Sequence, residues 1–316
     1  MSPQLALHSH IFQTYLAIVA GIVFVAGLIL FGLQLLSSKD ISPIWRTYRA
    51  WLVMIVVIVA FVFAGRVAVV IGITILSICG FKEFARATGL YRDWWMTGAV
   101  YIAIIGVGLT SLMRDPYEPK YAGWFGLFMA VPVFAINFLL MVPILRNQSK
   151  GQLQTVALAV CGFMYMGWMF GHTGFLADSG NAYGYLLFIV LATELNDIAA
   201  FTFGKLLGHR QLRGNISPRK TWGGAIGAVG VSLILPWLLR FSLPNFTTGQ
   251  LILTGLIVGI GGQLGDLCIS FIKRDIGIKD MGAAIPGHGG ILDRIDSLIF
   301  VAPLFLHSVD YFHGLR

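Results

Sequence analysis

Long apolar runs, each closed by a short polar or basic break, set the rhythm of this chain. Runs of the length that spans a bilayer, about 17 to 25 residues, fall at 13–36, 95–112, 122–145, 153–176, 183–205, 224–243, 248–270 and 297–313. A longer apolar run from Trp51 to Cys79 is broken at Gly65 and Arg66. One helix of that length would overshoot the membrane. Two shorter helices are therefore expected, about 50–64 and 67–84, joined by a tight turn at Gly65-Arg66. The pattern predicts an all-α, polytopic integral membrane protein with about nine to ten transmembrane helices. The first run, about 24 residues, is too long for a signal-peptide core and reads as a retained helix.

Composition agrees with the pattern. The chain has 316 residues, 57% hydrophobic and only 11% charged, where a soluble domain carries about 25% charged residues. A soluble core is excluded; lipid must be the solvent for much of the chain. No Pro/Ser-rich linker or low-complexity tract divides it. The expected organisation is a group of N-terminal transmembrane helices over 1–150 and a C-terminal catalytic transmembrane region over 151–316. The latter carries polar loops at 205–222 and 271–296.

The net charge of +8 is better read as topology than as nucleic-acid binding. Basic loops stay on the inside and meet anionic headgroups. With the N-terminus outside and the spans alternating, every Lys and Arg falls inside except Arg66, Arg114, Lys120, Arg240 and Arg316. The two most basic loops, 205–222 and 271–296, then share the cytoplasmic side, where soluble nucleotides are. A bacterial-type inner (plasma) membrane is the expected location. Cys79, Cys161 and Cys268 lie in apolar runs with no paired spacing, so they read as small apolar filler. Trp94, Trp95 and Trp124 read as an interfacial belt. His8, His10, His172, His307 and His313 show no ligand spacing and read as surface or interfacial. Gly255, Gly259, Gly261 and Gly265 have the small-xxx-small spacing of close helix packing. They serve either packing within one subunit or the seam of a homodimer.

Candidate chemistry is concentrated. Charges at membrane depth are costly and point to function, and Glu194, Asp197 and Asp266 are acids inside apolar spans. Asp266, Asp275, Asp280, Asp293 and Asp296 crowd into one stretch with Lys273, Arg274 and Lys279. Glycines 282, 287, 289 and 290, with Pro286 and His288, lie among them. On a helix continuing past the interface, Asp266, Ser270 and Lys273 share one face. A carboxylate, a hydroxyl and an ammonium in a row suit a metal-phosphate site. Asp293 and Asp296 share a face if the last helix begins near 291. The glycines before it let backbone N–H groups approach an anion at a helix start. Oxygen ligands beside phosphate favour Mg²⁺, one or two ions, over zinc. A second cluster, Asn215 to Gly224, offers Ser217 or Thr221 as a helix cap and Lys220 for a phosphate. Asp197 lies just upstream. Asp266 alternatively pairs with Lys273 or Arg274, and His288 either touches phosphate or holds its own loop. Asp275 reads as a solvated charge. Glu194 pairs with a basic residue or lines a lipid path.

The run from Ser270 to Asp296, S-F-I-K-R-D-I-G-I-K-D-M-G-A-A-I-P-G-H-G-G-I-L-D-R-I-D, resembles the signature of the phosphatidate cytidylyltransferase (CDP-diacylglycerol synthase) family at every fixed position. S217-P-R-K-T-W-G-G resembles that family's S-P-x-K-T segment. D197-I-A-A-F resembles its D-[ST]-x-A-[YF] helix, with Ile198 where a hydroxyl is usual. The resemblance covers about 185–300; the N-terminal half matches only as apolar helices, with one additional helix at the start. It implies transfer of CMP from CTP to phosphatidate, giving CDP-diacylglycerol and pyrophosphate, with a divalent metal. It makes Asp266 and Asp293 the metal ligands. Ser270, Lys273, Arg274, Lys279 and Asp280 line the nucleotide and phosphate site, with His288 in the same signature. Ser217, Lys220 and Thr221 close it, and Asp296 and Asp197 support it. The expected partners are CTP, phosphatidate and the bilayer. Rival readings are another CTP-dependent lipid enzyme (a CDP-archaeol-type synthase or a polyprenol kinase) and a transporter with broken helices.

Overall fold

The computed structural model describes residues 1–36, 40–116, 123–282 and 289–314. Lys39, Lys120, Pro286, Gly287, His288 and Arg316 lie outside them. Among the described residues, nine helices are long and apolar enough to cross a membrane. After a short α1 (Pro3–His8) come α2 (His10–Leu36), α3 (Ser42–Ala64), α4 (Arg66–Ala87), α5 (Trp94–Leu112), α6 (Phe125–Leu145), α7 (Gln152–Leu176) and α8 (Ala182–Leu207). A hairpin of β1 (Gln211–Arg213) and β2 (Ser217–Thr221) leads into α9 (Trp222–Leu238). The last two helices are α10 (Thr248–Asp275) and α11 (Leu292–His313). The all-α polytopic architecture is as the apolar pattern predicts. The expected span 224–243 is shorter: α9 stops at Leu238 and a 3₁₀ turn, Arg240–Ser242, follows.

The break at Gly65 is real and has a local cause. Gly65 closes α3 with φ of +106°, a conformation that disfavours any side chain. Arg66 then opens α4 and pairs with Asp178 beyond α7. That ion pair gathers one end of the bundle. Ser2 and Tyr183 hydrogen-bond there, as do Asn181 and the carbonyl of Ser242. The other end carries Arg146 with Asp93 at 2.7 Å, and Glu83 of α4 with the start of α11. Helix ends are therefore tied together at both ends of the bundle.

Glycines let the C-terminal helices touch backbone to backbone. A Cβ on Gly255 or Gly259 would meet α9 at Leu233, Ser232 or Val229. One on Gly265 would meet the carbonyl of Asp296 at 2.5 Å and Cα of Ser297 at 2.9 Å. The small-residue spacing thus serves packing inside the subunit. Gly265→Ala is expected to cost about 1–3 kcal/mol, because backbone has to move. Thermal unfolding in detergent measures it, and an unchanged midpoint would contradict the close approach.

Two further features shape the interior. Between Phe163 and Met169 the helix α7 widens into a π-helical stretch. That widening places Tyr165, whose hydroxyl donates to the carbonyl of Gly265 at 3.3 Å. His172, expected at the surface, is fully buried, its Nε2 3.3 Å from Nε2 of His307 and its ring against Phe128 and Trp168. An aromatic cage shields it, which spacing along the chain does not reveal.

Candidate active site

The site is built where α8, α9, α10 and α11 meet β2. Helix α10 runs unbroken to Asp275, so Asp266, Ser270 and Lys273 do share a face. Ser270 Oγ donates to Asp266 Oδ1 at 3.1 Å. Asp266 Oδ2 takes an ion pair from Lys220 Nζ at 2.8 Å. In place of the alternative pairing with Lys273 or Arg274, the partner of Asp266 is Lys220, brought in by the β-hairpin. Lys220 also reaches the carbonyl and Oε1 of Gln263, both at 3.4 Å. Thr221, next in the chain, caps α9 by accepting from the Gly224 N–H at 3.2 Å. Ser217 is half-buried at the start of β2.

Lys273 points to the neighbouring helix. Its Nζ donates to Asp293 Oδ1 at 2.8 Å, and Asp293 is only 7% exposed. Asp293 Oδ2 accepts the N–H groups of Met281 and Gly290, both at 3.1 Å. One carboxylate thus ties α10, the segment after it and the start of α11 together. Arg274 does similar work outside, donating to the carbonyls of Ile216 and Ile278. It joins the hairpin to the loop after α10. Lys279 and Asp280 are exposed beside them. His288 lies outside the described residues.

The deeper layer is acidic. Asp296 is 6% exposed and accepts from the Ser297 N–H at 2.7 Å. Ser297 Oγ donates to Asp197 at 3.1 Å and shares the Gly262 carbonyl. Asp197, Asp266 and Asp296 are near enough for their charges to act on one another, with Lys220 and Lys273 in range. Asp197 and Asp296 lie within electrostatic reach of Asp266, while Asp293 is engaged with Lys273 and two backbone donors. Below them, Asn196 is fully buried. It donates to Ser232 Oγ at 2.8 Å and accepts from Gln263 Nε2 at 2.9 Å, which fixes the amide that meets Lys220.

The important group that sequence reasoning missed is Glu83. It sits on α4, far from the signature. Its carboxylate accepts the N–H groups of Ile291 and Leu292 at 3.0 and 2.9 Å. It caps α11 from another helix and meets the positive end of its dipole. An acid between Lys82 and Arg86 at the end of an apolar run was the one signal. Glu83→Ala leaves two N–H groups open and is expected to cost about 1–3 kcal/mol. Loosening Asp293 should lower kcat/KM roughly tenfold, worth about 1.4 kcal/mol. Glu83→Gln should recover part of both. Equal activity in all three proteins would remove Glu83 from the account.

An apolar cavity of about 380 Å³ between α3, α4, α8 and α11 leads from the lipid-facing side to this cluster. Its walls are mostly Val, Ile, Leu and Phe side chains with Thr173, Thr193 and Glu194 among them, and Asp197, Ser297 and Arg294 also line it. The arrangement can hold a phosphorylated, water-soluble group against Lys220, Lys273 and Arg274. It can also meet a hydrocarbon chain from the side.

Comparison with known proteins agrees in kind. Residues 45–312 match the model of the cytidylyltransferase family. A phosphatidate cytidylyltransferase of Staphylococcus aureus (strain COL) is 32% identical over 266 residues, 82% of this chain and 96% of that protein. That of Staphylococcus haemolyticus (strain JCSC1435) is 37% identical over 188 residues, 59% of this chain and 72% of the relative. An uncharacterized protein, YnbB, of Escherichia coli (strain K12) is 32% identical over 243 residues, 75% of this chain and 77% of YnbB.

Proposed function

Since the chain belongs to the cytidylyltransferase family, a membrane-embedded nucleotidyltransferase, we propose that it transfers CMP from CTP to phosphatidate. The products are CDP-diacylglycerol and pyrophosphate. The observation that carries this reading is the Lys220–Asp266 ion pair. It joins the S-P-R-K-T segment to the turn of α10 just before the Ser270–Asp296 signature, where Ser270 donates to the same carboxylate.

A phosphate oxygen of phosphatidate attacks the α-phosphorus of CTP. The bond from that phosphorus to the bridging oxygen breaks, and pyrophosphate leaves in line. The nucleophile is already anionic, so positioning and charge neutralisation are what the protein must supply. Lys220, Lys273 and Arg274 hold the triphosphate; Thr221 and Asn196 fix the walls that aim them. The lipid approaches through the apolar cavity with its phosphate toward Asp197 and Ser297. The site faces the cytoplasm, by the distribution of Lys and Arg.

The donor set fits Mg²⁺. Among the described residues no three His, Cys, Asp or Glu form a ready cage. Mg²⁺ needs none: it takes one or two carboxylates and completes its shell with phosphates and water. Asp266, backed by Ser270 and partly exposed, is the first candidate ligand; Asp293 reaches a cation only by releasing Lys273. When bound, the ion neutralises phosphate charge in the transition state.

Purified protein with Mg²⁺ and CTP labelled at the α-phosphate tests the reading. Label should move into the organic phase only when phosphatidate is present. A γ-phosphate label appearing in lipid instead would make the protein a kinase. Preference for a diether analogue over phosphatidate would favour the archaeol-type reaction. No lipid labelling at all would end the proposal.

A further inference from the structure

Helix α2 precedes the residues that match the family model, yet it is built into the bundle. Tyr15 is buried and donates to Ser242 Oγ at 2.9 Å. Tyr48 of α3 donates to the carbonyl of Val23 at 3.0 Å. Between α2, α3 and α8 lies a second apolar cavity, of about 300 Å³. Its α2 wall is Phe12, Tyr15, Leu16, Val19, Ile22, Val23 and Ala26, with Phe12, Tyr15, Val19, Val23 and Ala26 along its centre. Those five central residues are three or four apart and form one helix face.

The two apolar cavities share a wall. Trp51, Ile58, Leu187, Val190 and Glu194 line both. They diverge on either side of α3, and the polar end at Asp197 and Ser297 belongs to the larger one. A single occupant filling both would be apolar along two arms, lie at membrane depth and carry its polar head at the Asp197 end, near Glu194 on the shared wall. A single-chain lipid fills one arm only. A diacyl lipid satisfies all three conditions.

We propose that α2 closes a groove for one of the two acyl chains of the lipid substrate, while the other chain lies in the cavity that reaches Asp197. The face from Phe12 to Ala26 then sets the chain length accepted. That face is about 21 Å long at 1.5 Å per residue, against about 15 Å for half of a bilayer's hydrocarbon. A long chain fits along it, running from Trp51 and Ala26 toward Phe12. This inference rests on the lipid-substrate reading above, and its test is chosen to fail separately from that reading.

The direct test uses phosphatidate with a photoactivatable diazirine at the end of one acyl chain, added to wild-type protein without CTP. Labelled peptides should map to α2, and excess unlabelled phosphatidate, but not phosphatidylcholine, should abolish the labelling. Labelling absent from α2, or competed equally by both lipids, overturns the groove. Protein that labels this way yet transfers no CMP would refute the reaction and leave the groove standing. The second test is Val19→Trp, which plugs the groove midway. The ratio of turnover on long-chain to dioctanoyl phosphatidate should fall about tenfold, the scale on which apolar pockets discriminate. Val19→Leu should fall between. An unchanged ratio in folded Val19→Trp protein would also overturn the proposal.

Discussion

Asp266→Asn is expected to abolish CMP transfer, by roughly a thousandfold or more in kcat, while leaving the protein folded. The two halves of that expectation come from different observations. The Asp266 side chain is 32% exposed. Asn keeps its shape and can still accept from Ser270, now 3.1 Å away. Lys220 loses its carboxylate but keeps the carbonyl and amide of Gln263 in reach. A partly exposed ion pair of this kind is worth about 0–1 kcal/mol, so the unfolding midpoint should barely move. Activity should collapse, because an amide carries no charge to set against a cation or to balance Lys220 near phosphate. Ser270→Ala removes a neutral donor to the same carboxylate and should cost only about tenfold, near the upper end for one hydrogen bond. Radiolabelled CTP turnover beside thermal unfolding separates the cases. Full activity in a folded Asn variant would remove Asp266 from any metal or phosphate role.

Why Asp266 was legible and Glu83 was not is a matter of what carries each signal. An acid inside an apolar run is anomalous by itself, since lipid cannot solvate it. Helical spacing then joins it to Ser270 and Lys273 without any tertiary information. The turn at Gly65 was legible for a similar reason, since bilayer thickness limits helix length. Lys220 could be named from its own segment, but its partner could not. The hairpin that folds it back onto α10 is two short strands of three and five residues, and no spacing rule connects residue 220 to residue 266. Glu83 lies still further out, capping a helix more than two hundred positions later in the chain. Long-range caps and buried amides such as Gln263 depend on which helices become neighbours. His172 erred in the other direction, since a polar residue that looks interfacial in sequence is enclosed by aromatic rings. Apolar run length says about how many helices form; it does not say which faces meet.

Lys273 and Asp293 should behave as a unit whose stability and activity come apart. Lys273→Met leaves Asp293, 7% exposed, without its cation. Breaking one side of a buried pair costs about 3–5 kcal/mol. The loss is softened here because the N–H groups of Met281 and Gly290 still donate to Oδ2. A fall in the unfolding midpoint is expected together with loss of activity. Adding Asp293→Asn removes the stranded charge. The double variant should regain most of the stability, because the amide oxygen keeps a backbone donor and nothing ionised is left buried. Activity should not return, since Lys273 is the group placed between the two signature helices to meet phosphate. Asp293→Asn alone gives the third corner. It retains the loop contacts but frees Lys273, and should fold with activity reduced less than in Lys273→Met. A purely structural pair predicts the opposite ordering, with the double variant recovering turnover along with stability. Unfolding midpoints and CMP transfer for the wild type and the three variants decide between them. If activity tracks stability around the whole cycle, Lys273 holds the helices together and does not touch the nucleotide.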